Sequence, residues 1–164
     1  MPATSPASSA GSLASADAAA ALVAKMSAVE PLQYDLRRFL AERCEVQITV
    51  PADVVLRPRV VRARETLIEE GRAPDRAFVV YSGLLEARGS LPAPHRLAWM
   101  APGAWIGELG VLTGERRTAS VTAWRDSVVL EFDGSVARRL LSGGTDELAR
   151  LATHLVSRGQ RSLA

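Results

Sequence analysis

Apolar residues recur along this chain with two different periods, and the changes between them divide it into three parts. Leu32, Leu36, Phe39 and Leu40 fall on one helical stripe, with Pro31 suited to a first turn, so the pattern predicts a helix over residues 31–44. From residue 46 to 132 the helical period gives way to short β-favouring runs at 46–50, 60–64, 78–81, 84–87, 96–100, 120–124 and 128–132. Proline and glycine punctuate them, among these Pro51, Pro58, Gly71, Gly83, Pro92, Pro94, Gly103 and Gly114. Many short strands with closely spaced turn signals predict an antiparallel sandwich, roll or barrel. After Phe132 the helical period returns. Val136, Leu140 and Leu141 form one face, Gly143–Gly144 break it, and Leu148, Leu151, Ala152 and Leu155 form another, giving helices over 135–158. Thr145 can cap the second of these, and Asp146 and Glu147 suit its positive end.

Composition adds three exclusions. Residues 1–30 are rich in Ala and Ser with few large apolar side chains, so they read as a disordered tail in which a short helix over 16–26 would be marginal alone. No stretch is long and apolar enough to span a membrane, and no basic n-region precedes the Ala-rich stretch. Cys44 is the only cysteine, which rules out an internal disulfide framework and a cysteine zinc cluster; it reads as a packed thiol. These features fit a cytoplasmic protein. The net charge of +2 hides an imbalance of type, because Lys25 is the only lysine among 20 basic residues. With Lys25 in the tail, no lysine remains for a P-loop or a Schiff base. Arg57, Arg59, Arg62 and Arg64 read as a solvated strand face, and Trp99 and Trp105 as core packing. His95, in a proline-rich loop, and His154, on the flank of the last helix, read as exposed residues without a proton-transfer role. No nucleophile elbow, zincin motif or paired Cys-x-x-Cys is present, so the chain reads as a binding module and not an enzyme.

One segment stands apart, running from Gly103 to Val121 between predicted strands. Gly107, Gly110 and Gly114 let the backbone approach a ligand closely and present N–H groups to it. Val111 and Leu112 allow one short helical turn to pack inward. Arg117, placed at the start of the next strand, offers a guanidinium that meets a phosphate with parallel hydrogen bonds. Thr118 adds a hydroxyl, and Glu108 adds an acceptor suited to a sugar hydroxyl. The plainer alternatives are an ion-pairing arginine at a strand start and a turn acid that caps local N–H groups. The combination points instead to a nucleotide with one compact phosphate.

The run Gly107-Glu108-Leu109, followed after a short interval by Arg117-Thr118-Ala119-Ser120-Val121, resembles the phosphate-binding cassette of cyclic-nucleotide-binding domains. Upstream, the stretches 65–71 and 75–83 resemble the family's strand with its glycine turn and the next strand with its Ser-Gly turn. Two positions depart from the pattern: Arg64 stands where a glycine is common, and Arg116 precedes the key arginine where a proline is common. The resemblance implies a mainly β fold, an eight-stranded antiparallel β-roll over 46–132 with N-terminal and C-terminal helices. It implies that Glu108 takes the ribose 2′-hydroxyl and Arg117 the cyclic phosphate, with backbone N–H groups of Gly107, Leu109 and Ala119 completing the cradle. The implied ligand is cAMP or cGMP; Thr118 is compatible with both. No other cofactor is expected.

A sensor of this kind reports occupancy by moving its C-terminal helices, with the Gly143–Gly144 break as hinge. The residues after Phe132 suffice for two short helices and not for a dimerisation helix plus a winged helix-turn-helix, so DNA binding by this chain is not expected. The last helix could meet a protein partner or a second copy, although packing on the roll explains its stripe equally well. Two alternatives remain at this level: a degenerate roll serving as a protein scaffold, and a regulatory subunit of an enzyme or channel in trans.

Overall fold

The computed structural model describes residues 17–22, 30–46 and 48–143. Helix α1 (Glu30–Arg43) leads into strands β1 (Arg57–Val61), β2 (Thr66–Ile68), β3 (Arg76–Gly89), β4 (His95–Met100) and β5 (Trp105–Ile106). Then come helix α2 (Glu108–Thr113), strand β6 (Ser120–Asp133) and helix α3 (Gly134–Leu141). All strand pairings are antiparallel, in the order β1-β6-β3-β4, with β2 added to β6 and β5 to β3. Residues 17–22, inside the stretch read as a tail, form a helical turn, and Ala19 and Leu22 pack against the core. The second C-terminal helix expected over the remainder of 135–158 lies outside the described residues from 144 onward, as does His154.

The mainly antiparallel roll is as the sequence implies, but its strands are counted differently. The runs at 78–81 and 84–87 are not separate; both belong to β3. The runs at 120–124 and 128–132 are likewise one strand, β6. Their pairing shifts register between Val80 and Leu85, opposite Arg125–Val128, so each long ribbon serves as two strands that change direction at a bulge. Burial follows that change. Ala77 to Val80 and Val128 to Leu130 are buried without a break, because both faces are covered there. Beyond the bulge only alternate residues, Leu85 and Ala87 on β3 and Val121 and Ala123 on β6, point inward. Counting the halves separately recovers eight strands.

The bulge is held by a close approach. Gly83 has φ of 101°, and a β-carbon there would lie 2.2 Å from the Ser127 hydroxyl and 2.6 Å from its Cα. That buried hydroxyl accepts a bond from the Leu84 amide (3.1 Å) and donates to the Arg125 carbonyl (2.7 Å). The turn signal at Ser82–Gly83 is therefore real, but it bends a strand where the sequence pattern suggests that the chain leaves the sheet.

The stretch 46–50 was expected to be a strand and is not one. Val46 and Ile48 are buried, as strand alternation requires, but from Val50 to Leu56 the backbone is bonded by side chains of helix α1. Arg37 donates to the carbonyls of Val50 (2.7 Å), Pro51 (2.9 Å) and Val54 (2.6 Å). Gln33 forms a two-way pair with the backbone of Leu56. Side chains of one helix thus replace a strand neighbour. Trp99 is a second correction: it is 41% exposed on the outer face, whereas Trp105 is fully buried and stacks near Phe132. Two clusters form the core. One joins Leu36, Leu40, Trp105, Phe132 and Leu140 between helices and roll, and the other fills the roll with Phe78, Val80, Leu85, Met100 and Ile106.

Cys44 is buried in the first cluster. Burial pushes its thiol up to about 12, the nearby charge of Glu45 adds to the shift, and a hydrogen bond with the Trp105 side chain offsets only part of it. Thiol reagents should therefore leave Cys44 unmodified in the native protein and label it in denaturant; rapid labelling at neutral pH without denaturant would contradict its packing. Gly83→Ala should lower stability by at least about 2 kcal/mol in chemical denaturation, from backbone strain and overlap with Ser127. An unchanged midpoint would show that the ribbon can bend without that contact.

Candidate functional site

The cassette is held by a turn more than thirty residues before it in sequence but adjacent in space. Strand β2 ends in a turn at Gly71, whose amide donates to the Arg117 carbonyl (2.8 Å), while the Arg117 amide donates to the Arg72 carbonyl (2.9 Å). Arg117 accordingly sits in the loop after α2, three residues before β6, and not at the start of the strand as the sequence suggested. Strand β5 and helix α2 fix the other side. Strand β5 pairs with Phe78 and Val79 of β3, and the buried Val111 anchors the six-residue helix.

All six residues singled out in the sequence, Gly107, Glu108, Leu109, Arg117, Thr118 and Ala119, border one cavity of about 280 Å³. That volume lies near the lower end of the about 300–1,000 Å³ usual for small-molecule sites. Glu108 and Arg117 are both buried and stand on the same cavity, while Leu109 and Thr118 lie at its exposed rim. The inner wall is apolar, formed by Ile68, Ala87, Leu97, Met100, Ile106 and Val121. Sequence reasoning assigned the wall only to apolar roll residues in general. The alternation in the distal half of β3 and at the start of β6 is the signal that picks out Ala87 and Val121. Arg116, on the rim, donates to the Gly71 carbonyl (2.8 Å) and so braces the same turn.

The Arg117 guanidinium is the site's dominant charge. Its Nη1 donates to the Gly107 carbonyl (2.8 Å) and its Nη2 to the Arg76 carbonyl, with Asp75 Oδ1 3.7 Å away. Desolvation lowers its pKa, and the charges of Asp75 and Glu108 act in the opposite direction. A guanidinium carries five N–H groups, so these contacts fix the plane and leave donor capacity for an anion in the cavity. Gly107 makes that placement possible. Its φ is 78°, and a β-carbon there would fall 2.4 Å from Arg117 Nη1. The glycine is thus required twice, once by its backbone angle and once by the arginine.

Helix α2 is tied to the C-terminal side of the domain. Arg138 on α3 donates from Nε to the Val111 carbonyl (3.1 Å), and Val111 shares a cluster with Ala137, Leu140 and Leu141.

Comparison with known proteins agrees with this arrangement. The family profile described as the cyclic nucleotide-binding domain matches residues 58–143. Uncharacterised proteins of the NTE family from Mycobacterium bovis and Mycobacterium tuberculosis are 42% identical over 71 residues. That match covers 43% of this chain and only 12% of those proteins. A cyclic nucleotide-binding domain from Methylobacillus flagellatus superimposes with a TM-score of 0.62 at 19% identity, covering 78% of this chain and 80% of that one. The regulatory domain of Toxoplasma gondii PKA, crystallised with cAMP, gives 0.55 at 24% identity over 60% of this chain and 39% of that one. These structural likenesses concern the fold.

Two substitutions separate packing from charge. Gly107→Ala should destabilise the domain by about 1–3 kcal/mol, because a methyl group would displace the buried guanidinium. Asp75→Asn should change stability by less than about 1 kcal/mol, since Asp75 is exposed and its ion pair is long. Equal losses in thermal denaturation would contradict the assignment of Arg117's placement to Gly107.

Proposed function

The chain belongs to the cyclic nucleotide-binding domain family, and from that membership we propose that it is a sensor that binds cAMP or cGMP without transforming it. The observation that carries this reading is the pairing of Glu108 and Arg117 on one cavity with an apolar inner wall. In the proposed complex Arg117 neutralises the cyclic phosphate and Glu108 accepts a hydrogen bond from the ribose 2′-hydroxyl. Backbone N–H groups at Gly107, Leu109 and Ala119 surround the phosphate, Thr118 adds a hydroxyl at the rim, and the purine lies against the apolar wall. Removal from water strengthens the charge pairing, which is why a buried arginine suits an anion better than a surface lysine would.

Occupancy is read out, on this proposal, through the Arg138–Val111 contact and the shared packing of α2 and α3. A ligand that draws α2 toward the phosphate favours one packing of α3 over another, which amounts to a population shift between two arrangements. Among the described residues the cavity is left open, which favours the sensor over a roll retained only as a protein scaffold.

Titration calorimetry with cAMP and with cGMP tests the reading. The intact protein should bind at least one of them, and Arg117→Ala should weaken that binding by about 2–5 kcal/mol, the loss expected for a desolvated charge partner. Thermal melting of the variant separates lost binding from lost fold, and Arg117→Lys keeps the charge while removing the planar fork. Absence of binding to either nucleotide, or an Arg117→Ala affinity equal to that of the parent, would overturn the proposal.

A further inference from the structure

The strands that wall the cavity turn a different set of residues outward. Ala87 and Val121 line the interior, whereas Glu86, directly paired with Trp99 on β4 and with Thr122 on β6, belongs to the opposite face. Trp99 is 41% exposed and Trp124 63%. Their rings meet edge to face with centroids 5.3 Å apart, and the Arg96 guanidinium lies 4.9 Å from the Trp99 ring centroid. Two indoles held against each other in water are an unusual use of a sheet's solvent face, where single exposed apolar residues need no explanation.

Arg64 supplies a second, independent observation. It is the one non-glycine residue of positive φ among those described, at 71°, a conformation that glycine takes without strain. It lines a groove of about 330 Å³ with Glu86, Thr122, Ala123 and Trp124. Its amide is held by the Ala123 carbonyl (2.7 Å), so the side chain leaves from a fixed point beside the tryptophan. Glu86 is already paired with Arg88 at 3.0 Å. Among the described residues, neither Arg64 nor Arg96 has a carboxylate within ion-pair distance.

We propose that this outer face is a docking surface for a protein partner presenting an acidic segment with an apolar anchor. The indoles take the anchor, and Arg64 and Arg96 take the carboxylates; Trp and Arg are the residue types in which interface binding energy concentrates. A second copy of the chain is a poorer occupant, because this face carries Arg64 and Arg96 while its Glu86 is already held by Arg88. A nucleic acid is poorer as well. Base stacking requires open ring faces, whereas here an arginine covers one indole and the two rings meet at an edge. This surface goes beyond nucleotide binding and stands or falls separately from it.

The test uses the full chain and a fluorescent glutamate-rich peptide with a central phenylalanine, read by anisotropy. A lysine-for-glutamate version of the peptide and oligo(dT) serve as comparison probes. The acidic peptide should bind and the lysine version should not. Trp124→Ala should weaken the complex at least about tenfold. Arg64→Gly should weaken it while raising the melting temperature, a combination that damage to the fold cannot produce. Both variants should keep the parent's response to cyclic nucleotide, so failure here is distinguishable from failure of the sensor reading. The proposal is overturned if the acidic peptide does not bind, if it binds both variants as it binds the parent, if oligo(dT) binds more tightly, or if the protein self-associates and Trp124→Ala abolishes that association.

Discussion

A guanidinium placed almost wholly out of water is the constraint around which this domain is arranged. An isolated buried charge is costly, and Arg117 is tolerated only because neighbouring groups take its donors. Two of those groups are backbone carbonyls, at Gly107 and Arg76, which belong to the ends of different elements. Its own amide and carbonyl bond the turn at Gly71–Arg72. One residue therefore gathers the end of β5, the start of β3 and the turn after β2. The cavity beside it is a consequence of that gathering. A side chain at Gly107 would break the arrangement from within, which ties the glycine of the cassette to the charge it serves.

The cavity and the helices are met by the same two strands. Strands β3 and β6 are buried on both faces near their junction with the helices and on one face beyond the bulge at Gly83 and Ser127. The doubly covered half makes a floor shared by Val79, Leu130, Val111 and Leu140, while the singly covered half walls the cavity. Floor and wall are parts of the same two ribbons. Val111 belongs to the floor by packing and is joined to α3 by the Arg138 bond, the contact through which the proposed sensor would report occupancy.

Much of this was legible in the sequence because the cassette combines residue types that no ordinary turn needs together. Glycines at 107, 110 and 114, an acid at 108 and an arginine at 117 point to a compact anion from the sequence alone, and all border or brace one cavity. The roll was legible from strand runs and turn residues. What the sequence concealed lies where tertiary contacts redirect local signals. Ser82–Gly83 looks like a break and is a bulge, because Ser127 supplies the missing backbone partner. Residues 46–50 have strand alternation, but the stretch from Val50 to Leu56 takes backbone partners from Arg37 and Gln33 of the helix just before it. Strand β5 is only two residues long, Trp105 and Ile106, too short for any periodicity to appear. Trp99 was read as core because indoles usually are; its paired position opposite Glu86 puts it outside.

The most direct measurement is a crystal structure of the protein grown with cAMP or cGMP. The account predicts a phosphate oxygen about 3 Å from the Arg117 guanidinium and the ribose 2′-hydroxyl at similar distance from Glu108. A nucleotide bound elsewhere, or one whose phosphate leaves Arg117 bonded only to Gly107 and Arg76, would contradict it.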